Sequence, residues 1–98
     1  MNSAQQILSQ LGGNRFIAMT GAKMFTQDQN ALNFRLPANF ANQGINHVRI
    51  ELNGNDLYDI RFGKVRGLNF KVVSTLSDVY ADTLQTVFTD VTGLDTRL

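Results

Sequence analysis

The chain has 98 residues, 43% hydrophobic and 17% charged, the composition of one soluble folded domain that buries roughly two thirds of its unfolded surface. It lacks cysteine, which excludes disulfides and thiolate metal sites and fits a cytoplasmic protein, and no apolar run nears the ~20 residues that cross a bilayer. The net charge of +1 conceals a separation: residues 1–77 hold eight of the nine Lys and Arg against four carboxylates, whereas residues 78–98 hold Arg97 against Asp78, Asp82, Asp90 and Asp95.

Residues 1–6 have neither the basic start nor the apolar stretch of a signal peptide. A helix is predicted there instead. Ser3 and Gln6 have capping-box spacing, Ile7, Leu8 and Leu11 share a face, and Gly12-Gly13 ends it. The apolar run in residues 15–20 does not alternate and reads as a strand covered on both faces. Gly21, Ala22 and Lys23 interrupt it, and Met24, Phe25 and Thr26 resume pairing after a bulge or bend. Residues 27–30 form a turn. Leu32, Phe34 and Leu36 alternate with polar residues, as in a half-buried strand, until Pro37 stops it. Residues 38–46 connect, with a helical turn at 39–43 closed by Gly44.

Two alternating runs, residues 47–52 and 57–62, flank Asn53-Gly54-Asn55-Asp56. Keeping Val48, Ile50 and Leu52 on one face with Tyr58, Ile60 and Phe62 places Leu52 opposite Tyr58, which leaves the three-residue loop Gly54-Asn55-Asp56 with Asp56 left-handed. Residues 63–67 read as the next connection and 69–74 as the last strand. Ser77 or Asp78 then caps a helix over 78–92, with Tyr80, Leu84, Val87, Phe88 and Val91 as its apolar stripe, Asp78 and Asp82 facing its dipole, and Gly93 as its end. The fold class is α+β: an antiparallel sheet of about five strands with N-terminal and C-terminal helices packed on one face.

The opposite face then carries Asn33, Arg35, Arg49, Glu51, Asp59, Arg61 and Lys71, with Lys64 and Arg66 on a flanking loop. Arg35, Arg49, Arg61, Lys64, Arg66 and Lys71 are the candidate binding residues, because guanidinium and ammonium groups suit phosphate. The plainer alternative is a solvated face on which Glu51 and Asp59 offset the arginines across strands. Parity puts Phe16, Phe34, Tyr58, Phe62 and Phe70 in the core, leaving base stacking little to use. Residues 66–72 echo an RNA-recognition signature, but Leu68 stands where an aromatic belongs, and Asp78 and Asp82 occupy the place of the lysines of double-stranded-RNA-binding domains. The single histidine, His47, lies four strand residues from the single glutamate, Glu51, roughly 13 Å away and too far to share a metal. No catalytic, cofactor-binding or metal-binding residue is assigned.

The stretches LGGNRFIAMTGAK (11–23), LYDIRFGK (57–64) and VYADTLQTVFT (79–89) followed by TGL (92–94) resemble a family of short bacteriophage, prophage and mobile-element proteins that has no assigned activity or site residues. Met24 stands where that family more often has a polar residue. The resemblance implies a mobile-element origin and the bacterial host cytoplasm. The expected function is a small non-enzymatic interaction protein, binding a host or phage protein or self-associating as a homo-oligomer through its sheet face or edge. The alternative is nucleic-acid binding through the basic face, with no membrane role and no cofactor.

Overall fold

The computed structural model describes residues 3–37 and 40–96. Helices α1 (Ser3–Leu11) and α2 (Asn14–Thr20) precede strands β1 (Lys23–Gln27), β2 (Ala31–Arg35), β3 (His47–Leu52), β4 (Tyr58–Arg66) and β5 (Asn69–Val79), and helix α3 (Leu84–Thr92) follows. The strands pair antiparallel in chain order, so β1 and β5 form the edges. This is the expected α+β architecture. All three helices lie on one side of the sheet: Ile7, Leu11, Phe16, Leu84 and Phe88 share a core with Leu32, Phe34, Val48, Ile50, Ile60 and Phe62. No helix among the described residues is long and apolar enough to cross a membrane.

Alternation set the central hairpin correctly. Leu52 opposes Tyr58, Ile50 opposes Ile60 and Val48 opposes Phe62. Asp56 takes φ 59°, as the three-residue loop demands. Asn53 completes the turn, its Oδ1 accepting from the backbone N–H groups of Asn55 (2.8 Å) and Leu57 (3.2 Å).

Residues 15–20 are not a strand. They form α2, which buries Phe16 and Thr20, one helical turn apart, and ends on Gly21 at φ 72°. A short apolar run does not distinguish a buried strand from a buried helix by period alone. Here Phe16 decides the matter: its ring meets Phe34 at 5.4 Å and Phe88 at 5.3 Å, both edge-on. Met24, Phe25 and Thr26 do pair with β2, across a bulge.

The segment 63–67 is not a connection either. β4 continues to Arg66, turns at Gly67 and Leu68, and returns as β5. Gly63 does not break the strand because the Phe70 ring covers it. A Cβ on Gly63 would stand 2.5 Å from that ring.

β5 also runs on to Val79, so the helix expected from residue 78 begins at Leu84 after a 3-10 turn at Ala81–Thr83. Val79 is buried and pairs with Tyr58, an edge place that outweighs the weak helical preference of a β-branched residue. Asp78 is therefore a strand residue, Asp82 lies in the 3-10 turn, and Tyr80 is exposed rather than part of the stripe. Gly93 ends α3 as expected. The helical turn expected at 39–43 is a 3-10 turn at Asn42–Gly44, with residue 39 outside the described residues. Ser3 is the first residue of α1, and its hydroxyl donates to Asn30 Oδ1 at 3.4 Å.

Candidate functional site

Register and parity draw three rows across the face away from the helices. The first holds Lys23, Arg35, His47, Gly63 and Val72. The second holds Thr26, Asn33, Arg49, Arg61 and Thr75, and the third Ala31, Glu51 and Asp59. Arg35, Arg49 and Arg61 are thus brought together, as expected. Arg49 stands directly opposite Arg61, and Arg35 directly opposite His47.

The lysines and the remaining arginine depart from expectation. Phe62 pairs with Ser74 but Gly63 pairs with Val72, so Val73 is an extra residue that inverts the alternation of β5. Lys71 consequently pairs with Lys64 on the parity of the helix-covered side. Lys64 and Arg66 belong to β4, not to a loop, and share that parity. The same inversion brings Phe70, expected in the core, to the arginine side together with Val72, where they are 45% and 47% exposed. The Phe70 ring meets the His47 imidazole edge-on at 5.4 Å. This face therefore has an aromatic group that parity alone denied it, and nothing in the residue types around Val73 announces the bulge.

The charges on the face are unequally satisfied. Arg49 is ion-paired with Asp28, accepts company from Glu51 at 3.9 Å, and donates to Asn33 Oδ1 at 3.3 Å. Hydrogen bonds from Arg49 and then Asn33 hold the Asp28 carboxyl below the usual carboxylate range. Asp59 serves the hairpin, where its Oδ1 accepts from Asn53 Nδ2 (3.0 Å) and from the Asp78 backbone N–H (3.1 Å). Neither Arg35 nor Arg61 has a carboxylate partner among the described residues. Arg35 Nε and His47 Nδ1 are buried and lack any hydrogen-bond partner. Burial first, then the positive charges of Arg35, Arg61 and Arg49, push the His47 pKa down, so its imidazole is neutral near pH 7.

Two hollows open on this face. One, of about 380 Å³, lies between the bulge of β1 and the first row, lined by Met24, Phe25, Thr26, Arg35 and His47 among others. The other, of about 190 Å³, lies among Arg49, Glu51, Asp59, Arg61 and Thr75. No cluster of three or more His, Asp or Glu suited to a metal occurs among the described residues. The arrangement is equipped to hold anions, through fixed guanidinium donors over an apolar and aromatic margin.

One polar residue with a structural role was missed by sequence reasoning. Asn46 donates from Nδ2 to the Val65 carbonyl (2.9 Å) and accepts at Oδ1 from the Val65 N–H (2.7 Å). Its side chain imitates a strand and steadies the outer half of β4.

Fold and face together define an α+β protein with one side of its sheet covered by helices and the other, among the described residues, without a helix. Comparison of the chain with protein-family models, curated proteins and solved structures gave no match.

Proposed function

We propose that this protein is a non-enzymatic binding module whose open sheet face holds a single-stranded nucleic acid. The observation that carries this reading is the pairing of Arg49 with Arg61, beside Arg35 and His47, on a face that no helix among the described residues covers. Like charges placed directly opposite one another weaken a sheet. An anionic strand laid across them turns that repulsion into attraction, and the Phe70 ring at the margin offers a stacking surface. The resemblance to phage and mobile-element proteins supports a site of action in the bacterial cytoplasm.

The test is binding of labelled mixed-sequence DNA and RNA oligonucleotides over a salt series. Three arginine–phosphate contacts give a slope of log affinity against log salt of about −2. Replacing Arg35, Arg49 and Arg61 together should abolish binding. Absence of binding at low salt overturns the proposal.

A protein partner is the second reading, and Leu68 favours it. Leu68 is fully exposed at the tip of the β4–β5 hairpin, close in sequence to the exposed Phe70 and Val72. Docking through the hairpin fits better than addition of a strand at an edge. Both edge strands carry bulges, positive-φ residues (Met24, Asp78) and a lysine (Lys23, Lys71), features that resist edge pairing. Light scattering of the intact protein and of Leu68→Ser tests self-association. A salt-resistant oligomer lost in the variant supports this reading, and a monomer at all concentrations removes the self-associating form of it.

A further inference from the structure

We infer that the hollow beside β1 is a seat for the terminal phosphomonoester of a nucleic-acid strand, with Arg35 and His47 on the phosphate and the adjoining base against Met24 and Phe25. This inference rests on the nucleic-acid reading of the open face and specifies which part of the strand is recognised.

At about 380 Å³ the hollow suits a small ligand such as one nucleotide. Its shape comes from the β1 bulge. Lys23 pairs with Arg35 and Thr26 with Asn33, so two residues of β1, Met24 and Phe25, oppose Phe34 alone. Met24 is held at φ 56°, a conformation unusual for its residue type, and stands 67% exposed. It lines the hollow as an apolar lip on the β1 side.

Arg35 and His47 supply the basic part of an otherwise largely apolar lining. Arg35 Nε and His47 Nδ1 are buried without partners on adjacent strands. Around His47 stand Arg35 on β2, Arg49 on β3 and Arg61 on β4, with Lys23 at the β1 end of its row and the Phe70 ring from β5. The first row contains no carboxylate. A terminal phosphomonoester carries close to two negative charges near neutral pH, against one for an internal diester, and gains correspondingly more from this wall. Its arrival reverses the electrostatics around the imidazole, so binding takes up a proton from solvent at His47.

The experiment compares one oligonucleotide with and without a terminal phosphate, at the 5′ or the 3′ end, in fluorescence anisotropy. The His47 ring resonances are followed by NMR, and the chain's single histidine makes their assignment unambiguous. At least one phosphorylated strand should bind about ten-fold tighter than its hydroxyl twin and move the His47 resonance toward the imidazolium position. Arg35→Gln should erase that preference, so that the phosphorylated and hydroxyl strands bind the variant with equal affinity. Equal affinities with an unmoved His47 resonance overturn the inference, as does a preference that survives Arg35→Gln. Should no oligonucleotide bind at low salt, the reading of the whole face fails separately. Adenosine 5′-monophosphate then decides the seat: a His47 shift lost in Arg35→Gln supports it, and an unmoved resonance overturns it.

Discussion

Arg49 and Arg61 face each other across β3 and β4 at the centre of the open face, and Asp28 neutralises only the first of them. Replacing Arg61 by threonine, a strand-favouring residue without charge, relieves that repulsion. The expected gain is roughly 0.2–1 kcal/mol in urea unfolding. The same variant should bind oligonucleotides more weakly, with a salt slope shallower by about 0.7. Lower stability together with unchanged binding would argue that Arg61 is merely part of a solvated surface.

His47 should give the protein a stability that depends on pH. Its folded pKa lies below the ordinary value of 6.5, so between the two values the unfolded chain binds more protons. Stability therefore rises with pH through that window, is complete above about 6.5, and falls on acidification. His47→Gln should flatten this limb in urea titrations below about pH 6.5. Asp28 acts lower on the scale. Its depressed carboxyl contributes stability that is present above the unfolded value near 3.8 and is lost as pH falls through the folded one.

Gly63 and Phe70 should behave as a unit. A methyl group on Gly63 meets the Phe70 ring at 2.5 Å and the Lys71 carbonyl at 3.1 Å. Gly63→Ala is expected to cost about 1–3 kcal/mol by overpacking. In the double variant with Phe70→Ala the ring is gone, so the measured loss should fall well short of the sum of the single losses. Additive losses would assign the cost to the backbone instead of to the ring.

Phe88 is the hub of the core. Its ring lies 5.3 Å from that of Phe16 and 6.3 Å from those of Phe34 and Phe62, joining α3 to α2 and to two strands. Phe88→Ala should cost about 3–5 kcal/mol, a large part of the stability of a domain this size, and thermal unfolding will read it as a large fall in Tm.

The central hairpin was legible because a single strict period, two, ran through residues 47–52 and 58–62 and one face was buried. The N-terminal half hid a signal that was there to be read. Phe16 is followed four residues later by Thr20 and then Gly21, and Phe88 in the same way by Thr92 and Gly93. In both, the threonine hydroxyl donates to the phenylalanine carbonyl, at 2.8 and 2.7 Å, and accepts from the N–H two residues on, at 3.2 Å. The glycine between is left-handed in each case. One helix-ending device thus occurs twice, and recognising it in the C-terminal helix would have identified α2.

By themselves, helical spacing and strand alternation determined the α+β class, and the alternation determined the register of β3 against β4 and the gathering of Arg35, Arg49 and Arg61 on one face. That follows because a period of two is a local property of an extended chain. Only the tertiary structure decided where β5 slips. The extra residue at Val73 is accommodated by pairing with β4, by the space above Gly63 and by the His47 ring, none of them local to Val73. That slip moved Lys71 off the arginine face and set Phe70 upon it.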